Sequence, residues 1–234
     1  MASDQLAKCE LPLPACATVL LSVHTPMPPA SRAYLTIVPA AAARLLSDRE
    51  LVASLLAHER SAPLLTWRKY APRTFGLVQR TLGSATDAED VTQEVFLRVF
   101  SKIHTLRDPD ALSAFVLSVA IRVMREHLRQ RRVRKILHLV EEVPEVSVPS
   151  LDIEARGILR RFYEVLDALP TEERVVLALR HLEGMTLAEV AESSGISMST
   201  AKRRLNKATA RLAKRVANDP TLIRYSTRIT RDVE

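Results

Sequence analysis

A chain of 234 residues with 47% apolar content has room for one or two domains with ordinary cores. Five glycines, 4% aromatics and no GxGxxG or GxxxxGK pattern exclude Gly-rich phosphate loops and argue against a β-rich fold. The net charge of +7 is placed unevenly: Lys and Arg outnumber Asp and Glu in 47–137 and again in 156–217, whereas 138–155 carries five carboxylates and no Lys or Arg. Two basic modules flanking an acidic segment suit a polyanionic partner that both modules face and the connection avoids.

Residues 1–46 are rich in Ala and Pro, and Pro12, Pro14, Pro26, Pro28, Pro29 and Pro39 deny them a long helix. We expect a flexible extension. Cys9 and Cys16 both fall in it, so no disulfide framework holds a core, and a reducing cytoplasm is the simpler home. Two widely spaced thiols with His24 make a poor metal site, and none is expected. The apolar run 15–23 is too short to span a bilayer, and Asp4 and Glu10 stand where a signal peptide carries positive charge.

At Ser47 helical periodicity begins. Ser47 and Glu50 form a capping box before Leu51, Leu55 and Leu56. A second helix over 62–82 has Leu64, Leu65, Tyr70, Phe75 and Val78 as its core positions, with a kink or break expected at Pro72. A third starts at a Thr86–Glu89 box, turns Val91, Val95, Phe96 and Val99 inward, and gathers Asp87, Glu89, Asp90, Gln93 and Glu94 on its early outer turns. A polar loop, 104–113, leads into a fourth helix that holds seven basic residues between Arg122 and Lys135. So dense a block repels itself and persists best against phosphate.

Residues 138–155, with Pro144 and Pro149, read as an extended acidic linker. A last module, 156–217, opens with a helix ended by Pro170 and a second one capped by Thr171 and stopped at Gly184. Then comes 186–215, two helices broken at Gly195: a Thr186–Glu189 box starts the first and Ser197 caps the second. In that second helix Ala201, Leu205, Ala208 and Leu212 face inward. Ser199, Arg203, Asn206 and Lys207 lie opposite, flanked by Thr200, Lys202 and Arg204. Hydroxyls at the N-terminal end and multi-donor cations along one side suit a DNA major groove. Residues 218–234 form an unassigned tail.

With both blocks placed, the chain resembles the small, two-domain extracytoplasmic-function sigma factors of bacterial RNA polymerase. Asp87-Ala88-Glu89-Asp90, Gln93-Glu94 and Phe96 match the DAED-x-x-QE-x-F signature of region 2. Phe115, Val116, Ala120 and Arg122 stand in altered form for its W-L-x-x-x-A-x-N segment. Leu169, Pro170, Arg174 and Val176 approximate the L-P-x-x-x-R-x-V hallmark of region 4, and 199–205 matches its G-T-V-K-S-R-L motif with Ser199 for glycine and Arg203 for serine. The resemblance implies an all-α protein of two small helical domains. It implies that Asp87, Glu89, Asp90, Gln93, Glu94 and Phe96 dock on the β′ clamp helices of core RNA polymerase. It further implies that the loop 107–113, with Arg107 and Asp108, captures a flipped base of the promoter −10 element, and that Phe115, Arg122, Arg125, Arg129 and Arg132 follow the single strand. By the same resemblance Ser199, Thr200, Lys202, Arg203, Arg204, Asn206 and Lys207 are expected to read the −35 element. Partners are then core polymerase and promoter DNA, with an anti-sigma factor as a candidate, and no cofactor or small-molecule substrate. Two competing functions remain from the residues alone: a free-standing helix-turn-helix regulator, and an enzyme using Glu89, Asp90 and Glu94. The second ranks low because neighbours on a helix diverge by about 100° and converge poorly on one ion.

Overall fold

The structure, a computed structural model, describes residues 46–137 and 153–224, which form two compact units. The N-terminal extension with its cysteines, and residues 138–152 of the linker, lie outside the described residues. Within them the protein is all-α. The first unit comprises α1 (Asp48–Leu56), α2 (Ala62–Leu82), α3 (Ala85–Lys102) and α4 (Leu112–Ile136); 3₁₀ turns at Ile103–Thr105 and Pro109–Ala111 connect the last two.

Each start and stop has a local cause. Ser47 Oγ accepts from Glu50 N at 3.3 Å while Glu50 returns a carboxylate to Ser47 N at 2.8 Å, the reciprocal box expected for α1. Its core face is Leu51, Val52 and Leu55; Leu56 points outward. Helix α2 runs through Pro72 without a break. Losing one N–H costs about 3 kcal/mol, and the buried stretch of Ala71, Thr74, Phe75 and Val78 around it outweighs that. Thr66, Thr74 and Thr81 are buried on the same helix, each hydroxyl donating to the carbonyl four residues back. Gly83 takes the left-handed conformation, φ 77°, that closes α2. The cap of α3 is Ser84, not Thr86, because the chain leaving Gly83 is already extended there and Ser84 Oγ accepts from Asp87 N at 3.2 Å.

The second unit holds α5 (Ile153–Asp167), α6 (Thr171–His181), α7 (Leu187–Ser194) and α8 (Met198–Ala217). Helix α5 begins within the stretch expected to be linker, and Pro170 rather than Thr171 occupies the N-cap of α6. The Thr186–Glu189 box, the left-handed Gly195 and the Ser197 cap stand as the sequence implies. Phe162, Val165, Leu166, Leu169, Leu177, Ala208, Leu212 and Val216 make one core.

Residues just past α8 belong to that core. Asp219 accepts from the N–H groups of Thr221 and Leu222 at 3.0 and 3.1 Å and pairs with Arg161 at 2.5 Å. This turn seats Leu222 at 0% exposure among the helices. The unassigned tail therefore starts too early at 218. Leu222→Ala should lower stability by about 2–5 kcal/mol, the usual cost of a buried Leu, measured by urea unfolding of the full chain. A midpoint equal to wild type would show that the turn adds nothing to the core.

Candidate nucleic-acid interface and acidic docking face

Three surfaces carry the residues singled out above, and the fold sorts them into outward and inward groups. On α8 the inward stripe is Ala201, Ala208, Thr209, Leu212 and Val216, with Leu205 half-buried. Ser199, Lys202, Arg203, Asn206 and Lys207 are exposed, and Lys202, Arg203 and Lys207 make no ion pair among the described residues. Arg204 is drawn off that face: its guanidinium meets Glu172 of α6 at 2.9 Å. Thr200 is also partly engaged, its hydroxyl 2.9 Å from the Ser197 cap, and Ser199 Oγ lies 3.1 Å from the same atom. Met198 opens the helix at 52% exposure, a large apolar side chain that the sequence pattern assigns to no face.

Helix α6 holds α8 by carboxylates. Glu173 accepts Arg211 through both oxygens at 2.7 Å, beside the Glu172–Arg204 pair. Arg174 of the region 4-like motif is buried and paired with Asp167 at the end of α5. Its place in the motif is thus explained by the joint between α5 and α6.

The acids of α3 divide in the same way. Glu89, Asp90 and Gln93 are exposed and share one face with Thr86 and Leu97, at spacings of three and four. Asp87 faces α4 instead, with Arg131 at 3.5 Å and His127 Nε2 at 3.8 Å, beyond a direct hydrogen bond but within reach of its charge. Glu94 meets Arg98 at 2.6 Å, and Arg98 also holds Glu126 of α4 at 2.6 Å. Phe96 is at 1% exposure, its ring centroid 4.7 Å from that of Trp67, so it belongs to the core and not to a docking surface. Periodicity already turned Phe96 inward, and the motif match alone assigned it to the surface.

On α4, Arg122, Arg129 and Arg132 are exposed, Arg125 and Phe115 half-buried. Arg131, one of the seven basic residues, is buried and donates to the Leu82 carbonyl at the end of α2. Ahead of α4, Arg107 and Asp108 are exposed, and Asp108 Oδ1 accepts from Asp110 N at 3.1 Å, which caps the second 3₁₀ turn. Among the described residues no group of three or more His, Cys, Asp or Glu is placed to hold a metal, and no helix is long and apolar enough to cross a membrane.

A helix-turn-helix with an outward cationic face, together with a four-helix unit with one acidic and one basic face, is the arrangement of a DNA-binding protein. Residues 66–134 match the family model of Sigma-70 region 2, and 159–212 match that of Sigma-70, region 4. The chain is 34% identical over 134 residues to the ferric citrate uptake sigma factor FecI of Escherichia coli, covering 55% of this chain and 76% of that one. It is 30% identical to the ECF RNA polymerase sigma factor SigF of Caulobacter vibrioides, covering 59% and 76%. The solved structure of CnrH in complex with the cytosolic domain of CnrY superposes with a TM-score of 0.53 at 22% identity, over 74% of this chain and 98% of that one, a likeness of fold. The chain belongs to the extracytoplasmic-function group of the sigma-70 family. It is a sigma subunit of bacterial RNA polymerase, which directs initiation by binding core enzyme and recognising promoter DNA.

One acid-sensitive contact follows from the geometry. His127, set against burial and joined by Arg131 and the Ser84 hydroxyl, holds the Asp87 carboxyl below its ordinary value. A lowered folded-state pKa stabilises above the unfolded value of about 3.9 and is lost as pH falls through the lower folded one. Asp87→Asn should therefore cost about 1 kcal/mol near pH 6, with the gap from wild type closing below about pH 4. Urea unfolding across that range checks it; a gap independent of pH would place the loss in packing.

Proposed function

We propose that the two units divide promoter recognition. The unit of α5–α8, with limits near 156–217 extended through Leu222, reads the −35 element. Arg203 and Lys207 reach base edges or phosphates from the middle of the exposed face, Lys202, Asn206 and Ser199 flank them, and Met198 offers apolar contact to a thymine methyl. Support comes from the exposed, unpaired cations of α8, beside the diversion of Arg204 to Glu172. The unit of α1–α4 takes the −10 element on Arg107, Asp108, Phe115, Arg122, Arg125, Arg129 and Arg132, and core polymerase on Glu89, Asp90 and Gln93. Asp87 and Glu94 support that face from inside. The protein carries no catalytic site of its own and works in the cytoplasm, bound either to core polymerase or to an anti-sigma factor. A regulatory protein partner is suggested by CnrH, which was solved in complex with the cytosolic domain of CnrY.

The acidic face is what separates this reading from a free-standing regulator, which has no use for it. Exposed carboxylates repel DNA and suit a basic protein surface. Glu89→Lys with Asp90→Lys should leave the circular-dichroism melt unchanged. Affinity for labelled core polymerase should fall at least tenfold, about 1.4 kcal/mol. Unchanged core affinity in the folded double variant would remove the docking assignment.

For the recognition helix, Arg203→Ala should cost about 1–3 kcal/mol at the preferred −35 sequence if the side chain reads a base. The preferred sequence is obtained by transcription from a random promoter library with reconstituted holoenzyme. An equal loss on scrambled −35 DNA would make Arg203 a phosphate contact instead.

A further inference from the structure

Helix α6 takes two arginines from one flank of α8, and the two ion pairs differ in kind. Glu173 is buried at 7% exposure and accepts Arg211 through both oxygens at 2.7 Å. A carboxylate so deep is stranded if its cation leaves, so that pair is a fixed part of the fold. Arg204 Nη1 donates to Glu172 Oε2 at 2.9 Å, and the two side chains keep 26% and 27% of their surface in solvent. A pair at that depth is worth little to the fold and opens without uncovering the core.

Arg204 also borders the face that meets DNA. It follows Arg203 directly and stands three residues before Lys207, and both of those cations are exposed. Side chains three apart on a helix are surface neighbours, so a freed Arg204 guanidinium joins the row that Lys207 belongs to. Carboxylate and phosphate offer an arginine the same charge-assisted hydrogen bonds. Glu172 therefore competes with the DNA backbone for one cation. Each phosphate neutralised adds affinity whatever the base sequence, and each carries its own salt dependence through the counterions it releases.

We propose that Glu172 stands in for a DNA phosphate within the fold: by occupying Arg204 it withholds one cation from the backbone of the −35 duplex and so limits the sequence-independent part of the affinity. This rests on the assignment of α8 to the −35 element. Glu172 is then a positioning residue that touches no DNA. It governs how tightly this unit holds a duplex and not which sequence the unit prefers.

The test uses full-length protein bound to core polymerase, titrated over a range of salt concentrations with a duplex carrying the preferred −35 sequence and with a scrambled one. Glu172→Gln is expected to bind both duplexes about threefold more tightly at low salt and to steepen the slope of log K against log salt by about 0.9, one further phosphate. The ratio between the two duplexes should stay at the wild-type value. In an Arg204→Ala background the same change should give only a small part of that gain. Glu172→Asp keeps the charge and draws the carboxylate back by one methylene. It should show a smaller gain of the same sign, and it decides the matter if Glu172→Gln does not fold by circular dichroism. No gain in folded Glu172→Gln, or in Glu172→Asp when the first variant does not fold, would overturn the proposal. So would an equal gain in the Arg204→Ala background, which traces the effect to the charge of Glu172 alone, or a changed ratio, which makes the freed Arg204 a base reader. A wild-type holoenzyme that prefers neither duplex would sink the assignment of α8 to the −35 element, and the proposal with it.

Discussion

A guanidinium buried at a junction of three helices sets the geometry of the first unit. Arg131 stands near the C-terminal end of α4 at 7% exposure, donates to the Leu82 carbonyl that ends α2, and faces Asp87 in the first turn of α3. A buried cation without partners costs several kcal/mol, so α2, α3 and α4 are stable together only in the arrangement that brings a helix C-terminus and a carboxylate to it. That arrangement leaves Glu89, Asp90 and Gln93 on the outer side of α3 and Arg122, Arg129 and Arg132 exposed on α4. The acidic and the basic surfaces both lie outside that internal pairing and the apolar core around it.

The second unit meets the same constraint with different residues. Asp167 at the end of α5 takes the buried Arg174, and Glu172 and Glu173 at the start of α6 take Arg204 and Arg211 of α8. Acids in the first turn of α6 complement its dipole and at the same time clamp the recognition helix. The cations that remain outward on α8 are those that no carboxylate among the described residues reaches. A helix with many Arg and Lys residues is divided in this way between structure and ligand.

Motif positions therefore carry two kinds of information that a pattern does not separate. Asp87 and Phe96 belong to the acidic signature but serve the inside of the unit, one at the Arg131 junction and the other against Trp67. Arg174 belongs to the region 4-like hallmark and closes a helix joint. Glu89, Asp90 and Gln93 keep the exposure that a docking role requires.

Local chemistry, read from the sequence, supplied much of what depends on neighbours within a turn, although it misplaced the caps of α3 and α6 by one or two residues. The boxes at Ser47 and Thr186, the left-handed Gly195, the Ser197 cap and the inward stripes of α3 and α8 all follow from spacing, because each is decided by atoms three or four residues apart. What distance along the chain separates was not legible. Arg204 and Glu172 are 32 residues apart, Arg131 and Leu82 are 49 apart, and Arg161 and Asp219 are 58 apart, so nothing in the sequence pattern marks one arginine as inward and the next as outward. Leu222 lay past the last periodic residue and joined the core only because Asp219 turns the chain back onto it. Composition and period decided which residues were available for each face; the packing of helices, through the cost of leaving a buried charge unpaired, decided which of them remained free to meet a partner.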